Sequence, residues 1–340
     1  MNIDFSDIEQ FKTLFAEPRR VVIVSHTNPD GDAIGSSLAL AEVLRMRGHE
    51  TTCIVPNRFP YYLEWIPRAK EMLVYRFDAE QAKATIDCAD VIICADMNNL
   101  SRLEELSEAI ASNTTAKRLL IDHHPNPGEG FDLVFSHPES SSTAFLVYSI
   151  LSQAFGTQII DRTIATQLYV GIITDTGNFA FSHLTPELFR AVAVLVEAGI
   201  DIPTIYNNIY NSFTEGRARL FGYAINRKMK TLLKGTVAYI SLTEEELRRY
   251  WFQQGDSEGF VNYPLTVKKM RMSAMFTQQH DFIRVSLRSR GNIDVDTFAR
   301  RYFNGGGHRN AAGGKSFMTM DETIRHYIAA VEEYHAEGKV

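Results

Sequence analysis

Three short apolar runs constrain this chain most, because each ends on acidic or imidazole side chains. They are RVVIVSH at 20–26, ADVIICADM at 89–97 and KRLLIDHH at 117–124. Each is short, rich in β-branched residues and apolar without alternation, which is the pattern of a strand covered on both faces. Between them the spacing predicts helices. One covers 33–48, with Ile34, Leu38, Ala41 and Leu44 on one side and Gly48 as the stop; another covers about 101–111. ETTCIVP at 50–56 adds a further strand, and FPYYLEWIP at 59–67 reads as a loop or short turn. Strands alternating with helices give a βαβ series and hence an α/β fold with a doubly wound, mainly parallel sheet. In such sheets ligands bind beyond the carboxyl ends of the strands. His26, Asp30, Asp32, Asp96, Asp122, His123 and His124 are therefore expected on one edge, although they are far apart in sequence.

The first of these strand ends runs into SHTNPDGDAIGSSLAL at 25–40. Pro29 and Gly31 read as turn formers, and Asn28 and Asp30 can close Asx turns on their own backbone. Two readings are open for this stretch alone: a solvated βα connection in which an aspartate caps the helix, or a turn that gathers metal ligands. The coincidence of three such strand ends on one edge favours the second.

PESSSTAFLVYSIL at 138–151 reads as a capped amphipathic helix and DRTIATQLYVGIITDTGNF at 161–179 as another, with Asp175 emerging at its end. A carboxylate is disfavoured at a helix C-terminus, so Asp175 is easier to understand beside a cation. Two more helical segments at 185–199 and 202–210 lead to a hinge at 206–212, giving domains over 1–205 and 213–340. A helix at 215–229 opens the second domain. GTVAYISL, RMSAMFTQ and FIRVSLRSR then predict a half-covered mixed sheet, and 320–335 a closing helix. Before that helix stands NGGGHRNAAGGKS at 304–316; a flexible loop or a strand bend is one reading, but its bracketing of His308 and Arg309, with a basic strand upstream, favours a cradle of backbone N–H groups for an anion or nucleotide.

Composition excludes some functions. A net charge of −6 argues against a broad duplex-DNA binder, which needs an extended field of Lys and Arg. Cys53, Cys88 and Cys94 lack zinc-type spacing and read as reduced, packed thiols. No basic and apolar leader opens the chain and no apolar run approaches the roughly 20 residues of a membrane span, so a soluble cytoplasmic protein without a membrane partner is expected.

Four motifs, HTNPDGDAIGSS, the aspartate of CADM, IDHH and TDTGNF, together with GGGHRNAAGG, resemble the DHH phosphoesterase family with its DHH-associated C-terminal domain. More narrowly the chain is similar to the branch of oligoribonucleases and 3'-phosphoadenosine 5'-phosphate (pAp) phosphatases. The resemblance spans almost the whole chain and implies two divalent cations, usually Mn²⁺. Carried over residue by residue, it puts His26 and Asp30 on one ion, Asp32, His123 and Asp175 on the other, and Asp96 as the bridge. Asp122 orients this loop and His124 faces the substrate phosphate. It further implies substrate binding from the second domain by Arg288 and by Gly305, Gly306, Gly307 and His308, across a cleft between the domains. Arg284, Ser286 and Arg102 are further candidates, although an arginine at a strand edge or helix start is commonly just solvated.

The residue types suit that chemistry. Four carboxylates in one pocket raise one another's pKa unless cations cancel them. Mixed carboxylate and imidazole ligands fit Mn²⁺ better than Ca²⁺ or a thiolate zinc site. The expected function is removal of nucleoside 5'-monophosphates from an end of short oligoribonucleotides, with pAp hydrolysed to AMP alongside. The partners are thus short RNA and mononucleotides, and the resemblance is compatible with a homodimer. The alternatives are a phosphodiesterase for cyclic or linear dinucleotides, and a non-catalytic nucleotide-binding regulator. The regulator's signature would be lost ligands, and no ligand position has lost its residue.

Overall fold

The computed structural model describes residues 3–181 and 183–340, which divide into two compact units, 1–212 and 213–340. In the first unit α1 (Phe5–Leu14) leads to β1 (Arg20–Val24), α2 (Gly31–Met46), β2 (Glu50–Val55) and the two-residue β3 (Leu73–Val74). There follow α3 (Tyr75–Asp87), β4 (Val91–Ala95), α4 (Leu106–Ser112), β5 (Lys117–Asp122) and β6 (Leu133–Ser136). Four helices complete the unit: α5 (Thr143–Phe155), α6 (Arg162–Asp175), α7 (Pro186–Glu197) and α8 (Ile202–Tyr206).

The strands form one parallel sheet in the order β3-β2-β1-β4-β5-β6. Strand residues alternate between two cores, as a period of two requires. Val21, Ile23, Ile93 and Ile121 pack on the side of α1, α2, α5 and α6, and Val22, Val24, Ile92 and Leu120 on the side of α3 and α4. The order reverses between β1 and β4, and this switch point is where an open parallel sheet leaves a crevice at its carboxyl edge.

Several local expectations are corrected. The helix after β1 starts at Gly31, not Ala33, so Asp32 lies in its first turn. Gly31 is not a left-handed turn residue, since that role falls to Asn28 (φ 58°). A Cβ at Gly31 would stand 2.4 Å from Thr174 Oγ1, so its bareness serves the approach of α6. The helix expected over 101–111 is broken at Glu104 (φ 50°) into a 3₁₀ turn, Leu100–Leu103, and α4. Most of the stretch 206–212 is helical, α8 running into a π turn, Asn207–Asn211, and the boundary between the two units falls at its end. Cys53 and Cys94 are buried, which pushes both thiols up to about 12, whereas Cys88 is exposed.

The second unit comprises α9 (Glu215–Tyr223), β7 (Lys230–Leu232), β8 (Val237–Leu242), α10 (Glu244–Arg249), β9 (Met272–Gln278) and β10 (Ile283–Ser289). After them come α11 (Val295–Tyr302), β11 (Gly306–His308), β12 (Ala311–Ser316) and α12 (Met320–Ala336). Its sheet runs β11-β12-β10-β9-β8-β7 and is mixed, with β8 and β9 parallel and the other pairs antiparallel. Val285, Leu287, Phe276 and Ala274 close one face against Phe298, Phe303, Tyr327 and Tyr334 of the flanking helices and loop.

The glycine-rich run is therefore a hairpin inside this sheet, not a loose loop. Its backbone is also largely committed, which corrects the expectation of an open N–H cradle. Gly305 N–H donates to the Ala299 carbonyl (3.3 Å) and Gly307 N–H to Asp296 Oδ1 (2.7 Å). A Cβ at Gly305 would fall 1.9 Å from the Gly313 carbonyl oxygen, so glycine is needed there for strand packing.

Candidate metal centre

The carboxyl ends of β1, β4 and β5, the first turn of α2 and the last residue of α6 bring their side chains to one place. Asp30 caps α2, its Oδ1 accepting from the backbone N–H of Asp32 (3.0 Å) and Ala33 (3.1 Å). The same oxygen that caps the helix lies 4.0 Å from His26 Nε2. Asp96 follows β4 in a left-handed conformation (φ 59°), a strained choice that Asp tolerates better than most residues. Its N–H remains tied to the Ile121 carbonyl (3.0 Å), and its carboxylate turns into the crevice.

Asp96 stands at the middle. His26 Nε2 is 3.4 Å from its Oδ2, while His123 Nε2 and His124 Nδ1 are 3.7 and 3.8 Å from its Oδ1. His123 Nε2 also faces Asp175 Oδ2 (3.3 Å) and Asp32 Oδ2 (3.9 Å). His26, Asp32, Asp96 and His123 are buried, His124 and Asp175 are half-buried, and the Asp30 side chain is 58% exposed. Donor atoms of His26, Asp30 and Asp96, and of Asp32, Asp96 and His123, each fall within 4.8 Å of one another.

The outer partners explain why the imidazoles point this way. His26 Nδ1 is 2.9 Å from the Thr27 carbonyl and His123 Nδ1 is 3.2 Å from the Ser140 carbonyl. A carbonyl can only accept, so Nδ1 carries the hydrogen in both rings and Nε2 faces the carboxylates. Burial opposes charge on both imidazoles, yet Asp96 and Asp30 around His26, and Asp175 and Asp96 around His123, outweigh it and raise both pKa values. Burial likewise opposes charge on Asp96, but the hydrogen bond from His26 and the positive field of the histidines hold its carboxyl far below the usual range. Asp32 goes the other way: burial, then the charges of Asp96 and Asp175, push it well up.

One set of partners carries no signal in the sequence beyond a helix cap. The N-terminus of α5 is aimed at the cluster: Thr143 N–H donates to Asp32 Oδ2 (2.6 Å), Ala144 N–H to Asp32 Oδ1 (2.8 Å), and the Thr143 hydroxyl to Asp96 Oδ1 (2.9 Å). The helix end and two of its amides thereby stabilise a carboxylate that its neighbours would protonate. SSST at 140–143 reads as a helix start, but nothing in it says that the helix points at Asp32.

Asp122 is fully buried and orients His124 rather than His123, with Oδ1 2.7 Å from His124 Nδ1. Burial and the Asp96 charge push its carboxyl up to about 7. Arg102, on the 3₁₀ turn, is not merely solvated: its Nη1 lies 3.2 Å from His124 Nε2. The other candidates lie in the second unit. Arg284, Ser286 and Arg288 share one face of β10, Arg284 exposed and the other two half-buried beside the buried Ser273, Met275 and Thr277 of β9, and Gly305 precedes the β11–β12 hairpin that contains Gly306, Gly307 and His308.

The comparisons follow this division of the chain. The model of the DHH family, N-terminal domain, matches residues 20–172 and that of the DHHA1 domain residues 235–337. The chain belongs to the DHH family. It is a phosphoesterase, a hydrolase acting on phosphate esters. Proteins named bifunctional oligoribonuclease and PAP phosphatase NrnA are similar along most of its length. The one from Bacillus subtilis is 26% identical over 90% of this chain and 91% of its own, and the one from Thermus thermophilus 28% identical over 92% and 89%. A crystal structure of an exopolyphosphatase-related protein from Bacteroides fragilis is 39% identical, covers 98% of this chain and 97% of its own, and superposes with a TM-score of 0.92. No helix among the described residues of this DHH-family chain is long and apolar enough to cross a membrane.

Proposed function

We propose that this DHH-family hydrolase uses two divalent cations, Mn²⁺ first among them, to hydrolyse short oligoribonucleotides from an end to nucleoside 5'-monophosphates, and pAp to AMP. The observation that carries the metal reading is the donor set around Asp96. Four carboxylates, those of Asp32 and Asp96 buried, and two Nε2 atoms face one another at 3.3 to 4.0 Å, with both Nδ1 atoms already spent on carbonyls. Ligands about 2.1 Å from a six-coordinate ion are separated by about 3 Å when adjacent and about 4 Å when opposite. The spacing therefore fits a cation between the groups better than direct hydrogen bonds, which are shorter.

His26, Asp30 and Asp96 would hold one ion, and Asp32, Asp96, His123 and Asp175 the other. Bound divalent ions supply Lewis-acid polarisation of a phosphoryl oxygen and a water acidified towards neutrality. The chain's own groups supply orientation and proton handling. Arg102 offers a fork of N–H donors to a phosphate. His124, its Nδ1 fixed by Asp122, accepts from Arg102 at Nε2; once protonated there, it can hold a phosphate oxygen or give that proton to the departing one. Asp122 keeps that ring in register and, with a carboxyl near 7, shares its proton close to neutrality.

The substrate class rests on the similarity to relatives named oligoribonuclease and PAP phosphatase over most of both chains. The test is a panel with Mn²⁺ and product identification: labelled RNA from dimer to pentamer, pAp, linear and cyclic dinucleotides, and polyphosphate. AMP or other 5'-mononucleotides from the RNA and pAp are expected. Polyphosphate or a cyclic dinucleotide cleaved while RNA stays intact would refute the assignment.

A further inference from the structure

With the amides of Gly305 and Gly307 already committed, side chains on the open face of the second sheet have to bind whatever that face receives. The register of β10 and β12 orders them in pairs: Arg288 opposite Ala311, Ser286 opposite Gly313, and Arg284 opposite Lys315. Phe282 and Phe317 continue the same alternation just beyond the strand ends, with rings 6.5 Å apart. The face thus reads, from one end to the other, as an aromatic pair, a cation pair, a half-buried small pair and a further, half-buried cation. From 282 to 288 it extends about 20 Å at the usual strand rise, which is several nucleotides at about 3.4 Å each when stacked.

Ordinary solvation does not account for this arrangement. Surfaces normally intersperse both signs of charge, yet β9, β10 and β12 contain no Asp or Glu. Like charges directly opposite across a ladder destabilise it, and Arg284 and Lys315 are such a pair, at a level where β12 has run past the last pair of β11. Lys315 Nζ sits 4.9 Å over the Phe282 ring, while Phe317 is left 72% exposed. Cations interleaved with exposed aromatic rings are the means by which proteins hold single-stranded nucleic acid, phosphates on the cations and bases on the rings.

We propose that Arg284, Lys315 and the Phe282–Phe317 pair form a distal nucleotide subsite that engages single-stranded oligonucleotides longer than a dinucleotide, at the far end of the face from Arg288. The inference rests on the oligoribonuclease reading and adds a length preference to it. A mononucleotide or dinucleotide held at Arg288 is shorter than the roughly 20 Å along the face from there to Phe282, so only longer strands gain from the subsite.

The experiment compares the full chain with Lys315→Gln and Phe317→Ala, using kcat/KM for an RNA pentamer, an RNA dinucleotide and pAp in Mn²⁺, at two salt concentrations. Both positions are exposed, and thermal unfolding checks that the variants fold as the parent does. Each variant is expected to lower kcat/KM for the pentamer about tenfold. The dinucleotide and pAp should stay within about twofold of the parent. Lys315→Gln should also flatten the salt dependence for the pentamer alone. Equal losses on all three substrates, or no loss on the pentamer, overturn the subsite. If the parent hydrolyses pAp but no RNA, the oligoribonuclease reading fails and the subsite with it, a result visible before any variant is compared.

Discussion

Thr143→Val removes one hydroxyl from the centre without changing the shape of the side chain. The residue is fully buried, and its Oγ1 donates to Asp96 Oδ1 at 2.9 Å. A hydrogen bond to an ionised carboxylate contributes about 1.5 to 3 kcal/mol. Valine also sets a methyl against the oxygen, so the metal-free protein should lose about 2 kcal/mol. The two amide bonds to Asp32 come from the backbone of Thr143 and Ala144 and survive the substitution, which isolates the effect on Asp96. Partners of this kind set metal affinity over about 10 to 100-fold. Calorimetric titration of the metal-free chain with Mn²⁺ should show affinity reduced by at least about tenfold. Activity should return towards the parent value as Mn²⁺ is raised, because no ligand has been removed. Thr143→Ser restores the donor and should restore affinity. If Thr143→Val binds Mn²⁺ like the parent, or if serine is no better than valine, the hydroxyl does not position Asp96 and the argument from α5 fails.

Asp96→Asn keeps the volume of the central carboxylate but removes its charge. Activity should fall by more than about 100-fold, beyond the range for outer partners, with Mn²⁺ no longer raising the melting temperature. Near-parental turnover in Mn²⁺ would refute the bridging role. Gly171→Ala puts a Cβ 2.5 Å from the Ala144 Cβ and 2.7 Å from Asp32 Oδ1, so α6 must move away from α2 and α5. About 1 to 3 kcal/mol of stability should be lost in denaturant titration, together with activity, and a variant as stable as the parent would disprove the close approach. In EDTA the pH dependence follows from His26 and His123. The folded protein raises both pKa values, so their contribution is fully present below about 6.5, the unfolded value, and is lost as pH rises through the folded values. Asp32, also raised, acts in the same direction, whereas Asp96 is lowered and matters only in acid. The metal-free chain should therefore melt higher at pH 6 than at pH 8, and Mn²⁺ should reverse that order. A melting temperature that rises from pH 6 to pH 8 in EDTA would contradict the assigned shifts.

What the sequence made legible here is what strand ends dictate. A covered parallel strand must be apolar throughout, so the first polar residue after it announces the crevice: Ser25 and His26 after β1, Asp96 after β4, and Asp122 at the end of β5 followed by His123. The sheet order was not written in those runs, yet any doubly wound order puts these ends on one edge, which is why the cluster could be expected without the topology. The parts that stayed hidden depend on contacts between distant segments. Gly35 would place a Cβ 2.4 Å from the Gln167 carbonyl oxygen, and Gly171 one 2.7 Å from Asp32 Oδ1, so the two glycines let α2 and α6 approach and bury Asp32. Nothing local distinguishes them from glycines that merely weaken a helix. The direction of α5 is hidden in the same way, because a helix cap is encoded locally and its target is not. In the second unit GGGH, flanked by basic residues, read as a cradle of backbone N–H groups, whereas it serves strand packing, with Gly305 against Gly313 and Gly307 N–H turned to Asp296. Arg284, Arg288 and Lys315 are side chains, so the contribution proposed for them can be tested by varying them one at a time, as a backbone cradle could not be.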